Sequence, residues 1–342
     1  MKIISLEDEG VWLSYLQKLP REVQDIYYTP AYYRLYENNG DGKAYCFIFE
    51  QGEKIAMYPY LLKEVPFVSN AFDIEGCYGY NGVLFNNEND SFKNAFYASF
   101  EKYCCEKNII AEFTRFNPMT NNHTFSKENM EVLYDRNTVL LDLEQSPDDI
   151  WKKEFSSKNR NMIRKAIKEG VIVTRKRTKE AFKAFFELYN KTMVDLNAAD
   201  FYFFKESYFL QILETIEGAW IYQATLDNIL IGSILVFEYG AFAHYHLSAR
   251  DRNYSRLASN NLLLYEAIKY ARINGCRSFH FGGGNGGEKD PLYKFKLNFS
   301  KRIQSFYIGK KVHNPIIYDE VIQIWKNNKS STPSNKVLCY RD

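Results

Sequence analysis

The sequence predicts an α+β protein, an α/β mixed-sheet chain built from two tandem copies of one unit. Three observations carry this. The segment order β-α-α-β-β-β-α-β is legible twice, before and after residue 170. In each copy, two strands about a tight turn imply antiparallel pairing, and a later helix between strands implies a parallel crossover. The length of 342 residues suits two domains.

In the first copy, KIIS reads as a strand and EDEGVWLSYLQKLP as a helix. A second helical stretch lies around PAYYRLYENN. AYCFIFE and KIAMYPYLL pair about a QGE turn. YGYNGVLF is another strand, DSFKNAFYASFEKYCCEKN an amphipathic helix, and IIAEFTRF a buried strand. In the second copy, VIVTRK is a strand, followed by the helices KEAFKAFFELYNKTM and KESYFLQILETI. AWIYQATL and LIGSILVFE pair about a DN turn. AFAHYHLSA is a strand, SNNLLLYEAIKYARING a helix ended by Gly275, and CRSFHFGGG a strand. Leu263, Ala267 and Tyr270 with Leu264, Ile268 and Ala271 give that last helix an apolar face.

The expected domains are 1–145, closed by NTVLLDL as its last strand, and 146–325, entered through a basic helix at 150–169. A tail at 326–342 reads as a loose end.

Aromatic residues make up 17% of the chain, with 27 Tyr and 26 Phe. They suit cores and also the walls of pockets for polar ligands. No apolar run reaches the ~20 residues needed to cross a bilayer, and acids stand where a signal peptide would have its apolar stretch. The expected location is the cytoplasm, with peripheral membrane contact open. Cys46, Cys77, Cys104, Cys105, Cys276 and Cys339 show no CxxC or zinc spacing, so they read as reduced thiols and no metal is expected. The net charge is +2, yet Lys152 to Lys179 holds eleven Lys or Arg against two Glu. Charge so focused points to one anionic ligand rather than to DNA.

The repeated element order resembles the GNAT acyltransferase fold, and two such units in tandem resemble the Fem-type enzymes of peptidoglycan bridges and their polysaccharide-linked relatives. FSSKNRNMIRKAIKEGV is similar to that family's basic helix entering the second repeat, and DIEGCYGYNGVLF to its aromatic-glycine strand. SFHFGGGNGGEKDPLYKFKLNF is similar to its Gly-rich loop and Lys-bearing segment. The resemblance covers about residues 1–310 and implies attack by an amine of a cell-envelope precursor on an activated acyl carbonyl. The alternatives are a CoA-dependent sugar acetyltransferase of surface-polysaccharide synthesis and a non-catalytic double-GNAT scaffold that binds a precursor. The acceptor it implies carries phosphate, as a small molecule or a lipid-linked precursor. The donor is aminoacyl-tRNA or acyl-CoA, with no tightly bound cofactor. The long helical hairpin that several members use around tRNA is absent. In GNAT enzymes a [Q/R]-x-x-G-x-[G/A] loop holds the CoA pyrophosphate. The matching ARDRNYSRLASNN has no glycine but keeps Arg252, Arg256 and Ala258; the donor-binding candidates are Arg252, Arg256 and Asn260.

Read as one helix, the basic segment aligns Lys153, Ser157, Arg160, Arg164 and Lys168 in a stripe. Arg160 and Arg164 are candidates for a phosphate clamp, against a plain solvated face. Gly283 and Gly284 belong to GGGNGG, which lacks the Rossmann and P-loop contexts and reads as a loop over a cleft or a simple turn. Lys296 corresponds to the family's Phe-Lys lysine, where the resemblance implies a charge that steadies phosphate or a developing oxyanion. It and Lys294 could equally be surface lysines that snorkel. Asp73, Tyr78, Tyr80 and Asn81 would line a wall for a sugar or peptide, or an aromatic core strand. His244, His246 and Ser248 alternate and should share one strand face. His246 and Ser248 are catalytic candidates there, against the alternative of satisfied core residues. There is no G-x-S-x-G elbow, HExxH or Cys–His pair, so direct transfer is expected.

Overall fold

The computed structural model describes residues 1–284, 290–328 and 336–341; the side chain of Phe201 is also outside the description. The chain forms two compact units, Met1–Asp135 with Ser305–Asp342, and Arg136–Gln304. The described strands are β1 (Lys2–Ser5), β2 (Lys43–Gln51), β3 (Lys54–Glu64), β4 (Phe72–Glu75), β5 (Leu84–Phe85), β6 (Ile109–Arg115), β7 (Glu131–Asp142), β8 (Ile172–Lys176), β9 (Ala219–Leu226), β10 (Ile229–Tyr239), β11 (Phe242–Arg250), β12 (Ser278–Gly283) and β13 (Ile303–Val312).

The first unit orders its strands β1-β2-β3-β4-β6-β13, with β5 beside β3. The second orders them β8-β9-β10-β11-β12-β7. In each, the fourth and fifth strands run parallel, β4 with β6 and β11 with β12, across a long helix. Those crossover helices are Asp90–Glu106 and Ser259–Ile273. Two helices also follow the first strand of each copy, Glu9–Lys18 and Pro30–Asn39, then Lys179–Asp195 and Glu206–Thr215. The expected element order is therefore present in both copies, and the fold is α+β with mixed sheets. The exception is the first copy's fourth strand, which is Phe72–Glu75 and not YGYNGVLF, of which only Leu84–Phe85 forms a strand.

The closing strands differ from expectation. NTVLLDL lies in β7, which pairs antiparallel with β12 of the second unit, Leu141 opposite Phe279. Its Val139, Leu141 and Leu143 bury in the core that holds Phe279, Phe281 and Phe299. β13, which follows the second copy in sequence, closes the first sheet against β6, Ile308 opposite Arg115. Each sheet is completed by a strand lying after the other copy, so the division expected at 145 falls instead near 135.

Local signals account for the helices. Thr29 accepts from the Tyr32 amide, Pro30 opens the helix, and Gly40 ends it at φ 90°. The aromatic excess is spent largely on cores: Phe47, Phe92, Phe96, Phe100 and Tyr103 pack together in the first unit.

The basic segment is not one helix. A short turn at Pro147–Asp149 leads into a π-helical stretch Ile150–Glu154. Phe155 is extended, Ser156 accepts from the Asn159 amide, and the α-helix runs Ser157–Lys168. Lys153 therefore leaves the expected stripe, because the Ser156 cap restarts the helix. The tail is not loose where it is described. Pro315–Asn328 is a helix whose Val321 and Trp325 are buried, and Val337, Leu338, Cys339 and Tyr340 join the same core. Residues 329–335 and 342 lie outside the described residues.

Candidate active site

The second unit holds the histidines. β11 pairs with β10 in a register that runs His244 to Phe237 and Tyr245 to Val236, then jumps to Leu247 opposite Leu235. His246 is the extra residue of a β-bulge, which re-aims side chains. His246 lies against the Phe237 ring at 4.4 Å, and His244 against His280 at 5.6 Å. Ser248 pairs opposite Ile234, a core residue on the face that Val236 and Tyr245 share, and it hydrogen bonds the Tyr245 hydroxyl. The expected alternation of His244, His246 and Ser248 on one face is thus broken by one inserted residue.

Burial holds His246 down at a pKa of about 3, with His244 adding to the effect. Its Nε2 is 3.3 Å from the Tyr208 hydroxyl. An imidazole this reluctant to charge is a poor proton acceptor at neutral pH. His280 is pushed well below the ordinary histidine range by burial, then by His244 and Lys296.

Lys296 ends a short helix, Pro291–Lys296, opened by an Asp290 cap. It is 6% exposed. Its Nζ donates to the Gly283 carbonyl at 2.6 Å and stands 5.7 Å from the Tyr245 ring centre. Burial lowers its pKa to about 8, against the opposing pull of Asp290. Gly283 and Gly284 are glycines for steric reasons. A Cβ at Gly283 would lie 3.0 Å from Arg136 Cδ, and one at Gly284 2.7 Å from Asp290 Oδ2. Arg136 in turn donates to the Gly284 carbonyl at 2.9 Å. Asn285, Gly286 and Gly287 of the run lie outside the described residues. Lys294, two positions before Lys296, is exposed.

The donor candidates sit at the start of Ser259–Ile273. Ala258 precedes it in the left-handed region at φ 55°, and no side chain caps the helix. The helix start therefore lacks a side-chain cap, and of its first amides Asn261 donates to the Ala258 carbonyl at 3.0 Å. Arg256 is exposed, and Arg252 lies 3.9 Å from Asp195. Asn260 is half-buried, and its Oδ1 has no hydrogen-bond partner among the described residues.

Three asparagines not singled out in the sequence tie these motifs together. Asn261 donates to Asn159 Oδ1 at 2.8 Å, and Asn159 donates to the Asn298 carbonyl at 3.1 Å. Ser156 also donates to Asn298 Oδ1 at 2.8 Å. The helix Ser259–Ile273, the basic helix and the lysine segment are thereby pinned at one place. Asparagine is frequent in this chain, so the letters alone carried no signal for it.

Arg160 is placed differently from a free clamp. It folds back to donate to the carbonyls of Trp151, Lys152 and Phe155, and to Ser157 Oγ. It closes the end of the π-helical turn, whose carbonyls lack internal partners. Arg164 is exposed, stands 5.3 Å from the Trp151 ring centre and donates to Asn161.

The first-unit candidates are mostly committed to structure. Asp73 is fully buried and accepts from Arg341 Nε at 2.8 and 3.1 Å and from the Tyr340 hydroxyl at 2.9 Å. Burial raises its pKa, with Arg341 opposing. Asn81 is buried, accepts from the Arg115 amide, and offers its carbonyl to Tyr28 and Asn122. Tyr78 and Tyr80 are half-buried; the Tyr78 carbonyl accepts from Tyr32, and Tyr80 meets Tyr27 and Phe306 edge-on.

Residues 153–295 match the family model described as an acetyltransferase (GNAT) domain. The crystal structure of FemX superposes with a TM-score of 0.70 over 94% of this chain and 99% of that one, at 16% identity. The C-terminal domain of a putative lysylphosphatidylglycerol synthetase from Agrobacterium fabrum gives 0.55 over 94% and 95%, at 12% identity. The fold is GNAT-like, and one segment of the second unit matches the acetyltransferase (GNAT) domain model. Within that fold the chain resembles the Fem-type enzymes. It is 31% identical over 84 residues to the lipid II:glycine glycyltransferase of Staphylococcus haemolyticus. That stretch is 24% of this chain and spans 20% of the relative's length.

Proposed function

We propose that the protein is an N-acyltransferase that moves an aminoacyl or acyl group onto an amine of a phosphate-bearing cell-envelope precursor. The observation that carries this reading is Lys296, a buried ammonium that stands just past the GNAT-matched segment and donates to the Gly283 backbone within it. In the reaction, the acceptor amine forms a C–N bond to the donor carbonyl while the C–O or C–S bond to the donor breaks. The carbonyl oxygen becomes negative in the transition state, and the Lys296 ammonium is the group suited to meet that charge. The amine's proton leaves with the donor oxygen or sulfur, or to water, because His246 is held neutral. Proximity supplies much of the remaining acceleration.

The donor phosphates would lie at the uncapped start of Ser259–Ile273, near Arg252, Arg256 and Asn260. Arg164 would contact the acceptor phosphate, which a nucleotide- or lipid-linked precursor provides. The glycyltransferase likeness favours an envelope acceptor, and aminoacyl-tRNA as donor comes with it. A second reading, a CoA-dependent sugar acetyltransferase, is favoured by the uncapped helix start. Both donors belong to the cytoplasm, which is where the reading places the reaction. No helix among the described residues is long and apolar enough to cross a membrane.

The test is thermal stabilisation of the purified protein by acetyl-CoA, by a UDP-linked amino sugar, and by aminoacyl-tRNA. Stabilisation by a donor and an acceptor supports the reading. Stabilisation by none of them removes it.

A further inference from the structure

The first unit contains a groove of about 580 Å³ that no step of the proposed reaction uses. One wall is the end of β13, Lys310 to Val312, and the other is the helix Pro315–Asn328 with Tyr318, Ile322 and Trp325. Its lining has two halves of different chemistry. Met130, Val312, Ile322, Trp325 and Val337 form an apolar floor, while the rim carries four lysines against Glu131 and Asp319. Lys311 is 3.4 Å from Glu101, and exposed Lys326 makes no ion pair among the described residues.

Trp325 supplies a second, independent observation. It is 3% exposed, and its indole Nε1 has no hydrogen-bond partner among the described residues. A buried N–H left without an acceptor is disfavoured, and indole has no other way to satisfy it. Trp325 is part of the groove's lining. Most other polar groups around the helix are satisfied: Tyr318 donates to the Val337 carbonyl at 2.7 Å.

We infer that this groove is a binding site for a small amphipathic anion, a flat apolar body bearing a carboxylate, sulfonate or phosphate. The body would lie on Ile322 and Trp325, an acceptor atom would meet the indole N–H, and the charge would sit among Lys310, Lys326 and Lys336. The excess of lysines selects an anion over a cation, and the apolar floor selects against bare phosphate. The site lies on the first unit, outside the segment that matches the acetyltransferase domain.

The test uses the full chain and 8-anilinonaphthalene-1-sulfonate as probe, titrated by its fluorescence. The expected result is saturable binding at one site. Lys326→Gln, at an exposed position that does not threaten folding, should weaken it about tenfold. Ile322→Trp should abolish it by filling the floor, and 2-naphthoate should compete while neutral 2-naphthylmethanol should not. Unsaturable binding, or affinity unchanged in both variants, overturns the site. Equal competition by the neutral alcohol overturns the anion assignment. None of these readouts depends on acyl transfer, so they stand apart from the test of the proposed reaction.

Discussion

Asp73 and Arg341 lie 268 positions apart, yet Arg341 Nε holds both carboxylate oxygens of a fully buried Asp73. The chain's end is therefore a fastening of the first unit. Removing Arg341 leaves the carboxylate buried with the Tyr340 hydroxyl still donating to it. Breaking a buried pair costs about 3 kcal/mol, reduced somewhat because Arg341 is partly exposed. Arg341→Ala should lower the unfolding free energy by about 2 kcal/mol in denaturant titration, and Asp73→Asn added to it should recover part of the loss. A neutral Arg341→Ala would show that this ion pair contributes nothing to stability.

Arg160 and Arg164 should separate. Arg160 closes three backbone carbonyls, so Arg160→Ala should cost about 1–2 kcal/mol of stability. Arg164 is exposed, so Arg164→Ala should leave stability within about 0.5 kcal/mol and weaken acceptor binding. Calorimetric melting and acceptor titration on the two single variants check this. A reversed pattern would restore Arg160 as the phosphate ligand.

Gly284→Ala should damage the lysine segment. The added Cβ would stand 2.7 Å from Asp290 Oδ2 and 2.9 Å from Tyr293 Cβ. Asp290 caps the helix that carries Lys296. Turnover should fall at least about tenfold, and the melting temperature should also drop. Full activity would mean that the cap is dispensable to the site.

Much of the fold was legible because periodicity is local. The turn letters QGE and DN place β2–β3 and β9–β10, and Thr29-Pro30 with Gly40 bracket a helix. What was hidden was non-local or one residue wide. Nothing in NTVLLDL says which sheet it will close, since its apolar residues fit either core. The bulge at His246 inserts one residue without disturbing the alternating letters of AFAHYHLSA. Ser156 restarts a helix inside an unbroken basic pattern, and Ser-Ser reads equally well as helix surface. Lys296 was found through resemblance; its burial was not visible, because Leu292, Phe295 and Phe299 alone suggested the inward face.

Acidity should act through Lys296. Its pKa near 8 leaves it mostly charged at pH 7, so turnover should decline as pH rises through about 8. Stability should move the other way. Because the folded pKa lies below the ordinary lysine value of 10.5, the burial cost is full below pH 8 and is relieved as pH rises toward the unfolded pKa. A rate profile flat from pH 7 to 9.5 would remove the lysine from the chemistry.

The most direct measurement is turnover and melting temperature of Lys296→Met, with whichever donor and acceptor stabilise the wild-type protein. Met keeps most of the aliphatic stem and removes a buried charge whose depressed pKa corresponds to roughly 3 kcal/mol. The melting temperature should therefore hold or rise. Losing one electrostatic contact made in the transition state should cost about a hundredfold in turnover. A variant that keeps wild-type turnover while its melting temperature falls would contradict the account, and Lys296 would then be a packing residue.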